Sequence, residues 1–158
     1  MGIFKPAWKS NDSGKAVDAV AKITDQAVLK EIVNSDVYGD VRLCALKKIK
    51  DSGFLEHIAE HDRSAELRWY ATDHIINHEL RTRLAQTDPD MHVRLCAMRG
   101  ILDENVLCSI AKTAAEVNES SEAVYWMHNT ELLLDAAKNA RHVVIRERAL
   151  DKILSFFR

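Results

Sequence analysis

DVYGDVRLCALKKI, residues 36–49, is followed by DRSAELRWYATDHI at 62–75 and by DPDMHVRLCAMRGI at 88–101. Each stretch opens on an Asp, carries an apolar–Arg pair and a small Ala at the same offsets, and closes on Ile. Stepping outward by 26 residues from Ile23 meets Ile49, Ile75, Ile101, Met127 and Ile153, and from Ala45 it meets Ala71, Ala97, Ala123 and Ala149. A third series runs Ile32, Ile58, Leu84, Ile110 and Ala136. A fixed period of this kind is the sequence mark of a stacked repeat architecture. The expected units are 23–48, 49–74, 75–100, 101–126 and 127–152.

Each unit reads as two short helices. Asp25, Asp51, Asn77, Asp103 and Asn129 fall at one position, and short polar side chains there accept an orphan backbone N–H at a helix N-terminus. The helix that follows, helix A, shows i, i+3, i+4 apolar spacing in Leu29, Ile32 and Val33 and again in Leu55, Ile58 and Ala59. Asp36, Asp62 and Asp88 are expected to cap helix B, with Pro89 in its first turn. The stripe Val41, Ala45 and Ile49 then faces the core. Helix pairs this short bury their apolar faces only by stacking on neighbours, so the reading is an all-α solenoid. A leucine-rich repeat needs a strand with L-x-L spacing, which VRLCALKKI does not offer.

The recurring Asp with Val41-Arg42 and Ala45, Leu67-Arg68 and Ala71, and Val93-Arg94 and Ala97 resembles the HEAT repeat, in particular the short HEAT-like repeats of bacterial proteins, over residues 15–153. The resemblance implies a right-handed α-solenoid in one domain spanning 1–158: a cap and half-repeat at 1–22, five repeats at 23–152 and a tail at 153–158. It also implies a ladder of charge-assisted hydrogen bonds between turn Asp and helix Arg, involving Asp36, Asp62, Asp88, Arg42, Arg68 and Arg94. The fourth unit departs from the pattern, with Ala114 and Ser120 in place of the pair and Asn118 a candidate cap for a late helix B. The fifth keeps Arg146 but has Ala140 for the Asp. In the third, Arg81 stands where other units have Leu and is expected to snorkel at the surface.

Composition narrows the function classes. The 158 residues carry 22 Lys plus Arg against 24 Asp plus Glu, a net charge of -2, without the basic excess on which phosphate-backbone binding rests. The N-terminal MGIFKPAWKS has no apolar run of signal-peptide length, and Pro6 stands where a myristoylation signal wants Ser or Thr. No run approaches a membrane span, so the expected location is cytoplasmic. Cys44, Cys96 and Cys108 then read as reduced, small hydrophobes, since Cys44 and Cys96 sit two repeats apart, beyond disulfide reach.

Catalytic patterns are not found. G-x-S-x-G, Walker, G-x-G-x-x-G and H-E-x-x-H motifs are all missing from the sequence. His57 and His61 share an i, i+4 spacing with Glu56 and Glu60 nearby, but no third metal ligand is evident; His74 and His78 straddle a turn. Deoxyhypusine hydroxylase, a HEAT-like iron enzyme, uses recurring His-Glu pairs, of which only His78-Glu79 matches here. The reading has no metal, no cofactor and no enzyme activity.

The face of helix B opposite its core stripe remains. In HEAT-like solenoids this side lines the concave surface, and here it presents Lys47, Glu66, Trp69, Tyr70, Asp73, His92, Arg99, Tyr125 and Trp126, followed by Glu147 and Asp151. Aromatics among mixed charges suit a protein or peptide partner. The expected function is therefore a non-catalytic protein–protein interaction scaffold. The alternative is nucleic-acid binding or activity like that of the HEAT-like DNA glycosylases, with Trp69, Asp73, Arg99 and Trp126 as its candidates. A pigment-protein lyase, another role of HEAT-like repeats, has no residue arguing for it. Phe4 and Trp8 before the first unit, and Leu154, Phe156 and Phe157 after the last, are read as end caps or as contacts of a weak end-to-end dimer.

Overall fold

In the computed structural model, which describes residues 6–158, the described chain is all-helical. Phe4 lies outside the described residues. Two compact units are present, Met1–Ile75 and Ile76–Arg158. No helix among the described residues is long and apolar enough to cross a membrane.

The first unit holds a 3-10 turn at Ala7–Lys9 and five helices: α1 (Ser13–Ala21), α2 (Gln26–Asn34), α3 (Gly39–Leu46), α4 (Ser52–His61) and α5 (Ala65–His74). α2 pairs with α3 and α4 with α5, while α3 also packs on α1 and on α5. Trp8 is buried against this unit, with the Lys9 ammonium 4.5 Å from its ring centre. The second unit holds α6 (His78–Thr87), α7 (Met91–Met98), α8 (Glu104–Thr113), α9 (Val117–Trp126), α10 (Thr130–Asn139) and α11 (Val143–Ser155). Its hairpins are α6–α7, α8–α9 and α10–α11; α9 touches both α7 and α11, and α8 touches α10.

Side-chain caps begin the even-numbered helices. Asp25 accepts from the N–H groups of Ala27 and Val28, Asp51 from Phe54, Asn77 from Leu80, Asp103 from Asn105, and Asn129 from Glu131 and Leu132. Each satisfies a donor that has no carbonyl partner one turn earlier. The apolar stripes lie inward as the spacing requires, with Leu29, Ile32 and Val33 fully buried in α2 and Leu55, Ile58 and Ala59 buried in α4.

The odd-numbered helices start later than expected. From α3 to α11 their N-cap positions are Tyr38, Ser64, Asp90, Glu116 and His142, not Asp36, Asp62 and Asp88. Asp62 and Asp88 instead end α4 and α6, and each carboxylate accepts the backbone N–H two residues on, Ser64 and Asp90, at 2.8 Å. This Asx turn, which competes with helix for the same N–H, sets the corner between the paired helices. Pro89 accordingly precedes the cap of α7, and Asn118 lies inside α9, which begins at Val117.

The arginines six residues after these corners close the ends of the preceding helices. Arg68 donates to the Asp62 carbonyl at 2.9 Å, Arg94 to the Asp88 carbonyl at 2.7 Å and Arg146 to the Ala140 carbonyl at 2.8 Å; Arg42 reaches the Val33 carbonyl at 2.6 Å. A guanidinium there meets unpaired carbonyls and the negative end of the helix dipole. Arg146 therefore has a structural partner although Ala140 replaces the Asp. Arg42 also pairs with the Asp62 carboxylate, and Arg94 pairs with Glu119, donating from Nε at 2.6 Å. Glu119, one position before Ser120, thus supplies the acid that Ala114 lacks, and Arg94 keeps a carboxylate through the irregular unit. Asp36 pairs with exposed Arg63 at 2.7 Å.

Arg81 is buried, not snorkelling: its guanidinium donates to the Cys96 carbonyl at 3.2 Å, between α6 and α7. Gly100 makes the room, because a Cβ there would overlap the Arg81 stem. Polar first-turn residues add a second type of clamp. Gln26 bonds the Lys48 carbonyl and the Lys50 N–H, His78 contacts the Gly100 carbonyl, and Glu104 accepts from the N–H groups of His128 and Asn129.

Candidate binding surface

In the first unit, α5 turns Leu67, Arg68, Ala71 and Thr72 inward, which leaves Glu66, Trp69 and Asp73 outward and Tyr70 half-buried. Trp69 is 42% exposed, a large aromatic surface left in water on a helix whose other face is fully packed. Tyr70 stacks on His74 with ring centres 4.1 Å apart, and burial, aided by the charge of Asp73, pushes its hydroxyl up from the ordinary tyrosine range. Lys47, which ends α3, is exposed.

In the second unit, His92 and Arg99 are exposed at the two ends of α7. Tyr125 and Trp126 end α9 in an edge-to-face pair, ring centres 4.9 Å apart, with Tyr125 64% exposed and Trp126 half-buried. The Trp126 indole N–H donates to Glu122 at 2.8 Å. The Lys152 ammonium sits 5.6 Å from the Tyr125 ring centre and caps the Val124 and Tyr125 carbonyls; burial lowers its affinity for a proton. Glu147 and Asp151 are exposed on α11.

Sequence reading missed Arg148, which donates to the Ser121 hydroxyl at 2.5 Å and joins α11 to the middle of α9. Its signal was available, because Arg148 occupies the position of Cys44 and Tyr70, where a long charged side chain breaks the series. Leu154, Phe156 and Phe157 are all exposed.

The polar cluster around Asp135 on α10 is structural in character. Lys112 and Asn139 bond the two oxygens of Asp135 at 2.7 and 2.6 Å, and Cys108 lies 3.5 Å from the same carboxylate. The Lys112 bond, with that of Asn139, holds the Asp135 carboxyl at about 2. Burial, reinforced by Asp135, pushes the Cys108 thiol up, the opposite of what a nucleophilic cysteine needs. The cysteines are free, with Cys96 and Cys108 buried and Cys44 partly so. Among the described residues no three His, Cys, Asp or Glu side chains are grouped to hold a metal ion.

No protein-family model, curated protein or solved structure matches the chain.

Proposed function

We propose that the chain is a right-handed α-solenoid of HEAT-like repeats with a 26-residue period, and that it acts as a non-catalytic scaffold binding a protein or peptide along its helix-B surface. Five side-chain caps, each opening a helix at the expected position, support the repeat reading. Arginines on the C-terminal carbonyls of helix A support the HEAT likeness. The exposure of Trp69 carries the binding assignment: indole surface of this kind is costly to leave in water and is enriched where partners bind. Tyr125, edge-to-face with Trp126, whose indole N–H reaches Glu122, and with the Lys152 ammonium near its ring, offers a comparable patch of aromatic and charged groups. The exposed Leu154, Phe156 and Phe157 favour weak self-association in addition; a monomer at all concentrations in light scattering contradicts that part.

The test is affinity purification from native lysate with the wild type and a folded Trp69→Ala, Arg99→Glu variant. A protein recovered by the wild type and lost from the variant supports the scaffold. Recovery of the same partners by both rejects this face. Recovery that vanishes on nuclease treatment transfers the assignment to nucleic-acid binding, whose candidates are Trp69, Asp73, Arg99 and Trp126.

A further inference from the structure

α4 is held at its start by Asp51, whose carboxyl accepts the Phe54 N–H at 3.1 Å, and its inward stripe is Leu55, Ile58 and Ala59. That register sends His57 and His61 outward, one turn apart. Both are exposed, and their ring centres are 5.0 Å apart with the ring planes inclined at 58°. They open onto a cleft of about 280 Å³ that Asn34, Arg42, Ile58, Asp62 and Arg63 also line.

The separation of the rings has a direct chemical meaning. An imidazole bound through one nitrogen at 2.0–2.1 Å places its ring centre about 3.2 Å from the metal, so two such rings at 90–110° stand about 4.5–5.2 Å apart. The observed 5.0 Å falls inside that range. We propose that His57 and His61 form a two-histidine chelate for a divalent transition ion of the Cu²⁺, Ni²⁺ or Zn²⁺ type, with water in its remaining positions.

Imidazole selects these borderline ions over Ca²⁺ and Mg²⁺, which want oxygen ligands. The neighbouring carboxylates do not alter that choice, because Asp62 is engaged by Arg42 and by the Ser64 N–H, and Asp36 by Arg63. The same pairings compensate the two guanidiniums, so a cation does not meet an unbalanced positive field. Glu60 lies 3.6 Å from the His61 Nε2, on the helix surface, where its charge favours a cation beside the ring. Exposure lets the ion displace protons and water without opening the fold.

The two histidines lie on α4, and the proposal does not rest on the helix-B reading. Its test is calorimetric titration of the full chain with Cu²⁺ alone at pH 7.5, compared with His57→Gln, His61→Gln and the double variant, folding being checked by circular dichroism. The expected result is one tight equivalent in the wild type, weakened about tenfold or more by either substitution and lost in the double variant, with the other five histidines still present. Copper-induced broadening of the His57 and His61 ring resonances before all others gives a second readout. No tight equivalent in the wild type, or the same affinity in the double variant, overturns the proposal.

Discussion

The Arg42 guanidinium and the Asp62 carboxylate form an ion pair in which both side chains are nearly buried, 7% and 5% exposed, and it joins α3 to the end of α4 within the first unit. Arg42 also holds the Val33 carbonyl, so one side chain ties the ends of two helices together. A buried charge left alone costs far more than a buried pair is worth. Asp62→Ala is expected to destabilise the chain by about 3–5 kcal/mol, whereas the Arg42→Met, Asp62→Leu double variant recovers most of that loss. Chemical denaturation of the three proteins measures this, and an Asp62→Ala variant as stable as the wild type contradicts it.

Gly100 and Arg81 are matched by volume. A methyl at position 100 falls on the Arg81 Cδ, and the buried guanidinium bonded to the Cys96 carbonyl is not free to swing away. Gly100→Ala is expected to cost about 1–3 kcal/mol. In an Arg81→Ala background the same substitution costs little, since the overlapping atoms are gone. Equal effects in the two backgrounds would show that the close approach is not what selects glycine.

Acid titration of Asp135 reports the Lys112 bond. The folded carboxyl sits at about 2 against an ordinary 3.8, so its stabilising contribution is complete above 3.8 and is lost as pH falls from there toward 2. Lys112→Met is expected to raise the Asp135 value toward the ordinary one and to remove this acid sensitivity. Carbon-detected NMR titration of the side chain measures both, and an unchanged midpoint in the variant assigns the shift to Asn139 instead.

Ser120 fills the place that Arg42, Arg68, Arg94 and Arg146 hold in the other units, and its buried hydroxyl has no hydrogen-bond partner among the described residues. Removing an unsatisfied buried hydroxyl recovers part of its desolvation cost. Ser120→Ala is expected to be neutral or more stable by up to about 1 kcal/mol. Glu119→Ala behaves oppositely, because it strips Arg94 of its carboxylate. Thermal melts of both variants separate the two effects, and a destabilised Ser120→Ala contradicts the assignment.

Helix content and helix starts were legible where the signal is local. Asp25, Asp51, Asn77, Asp103 and Asn129 cap helices because one side chain and the next turn suffice to decide it. The corner aspartates misled because an Asx turn and an N-cap use the same residue type two residues apart, and only the backbone distinguishes them. Arg81 was unreadable for a different reason: its burial depends on the space left by Gly100, nineteen positions further on. On the candidate surface, Trp69 and Tyr125 were located by helical phase, but whether phase leaves a ring bare or tucks it against a neighbour, as with Tyr70 and His74, is decided by packing.

The most direct measurement of the interaction reading is photo-crosslinking in native lysate with benzoylphenylalanine placed at Trp69, and separately at Ala27, an exposed position on α2. The helix-B scaffold predicts a discrete, saturable protein adduct from position 69 that unlabelled wild-type protein competes away, with no such adduct from position 27. Adducts of equal yield and identity from both positions, or none from position 69, would contradict it.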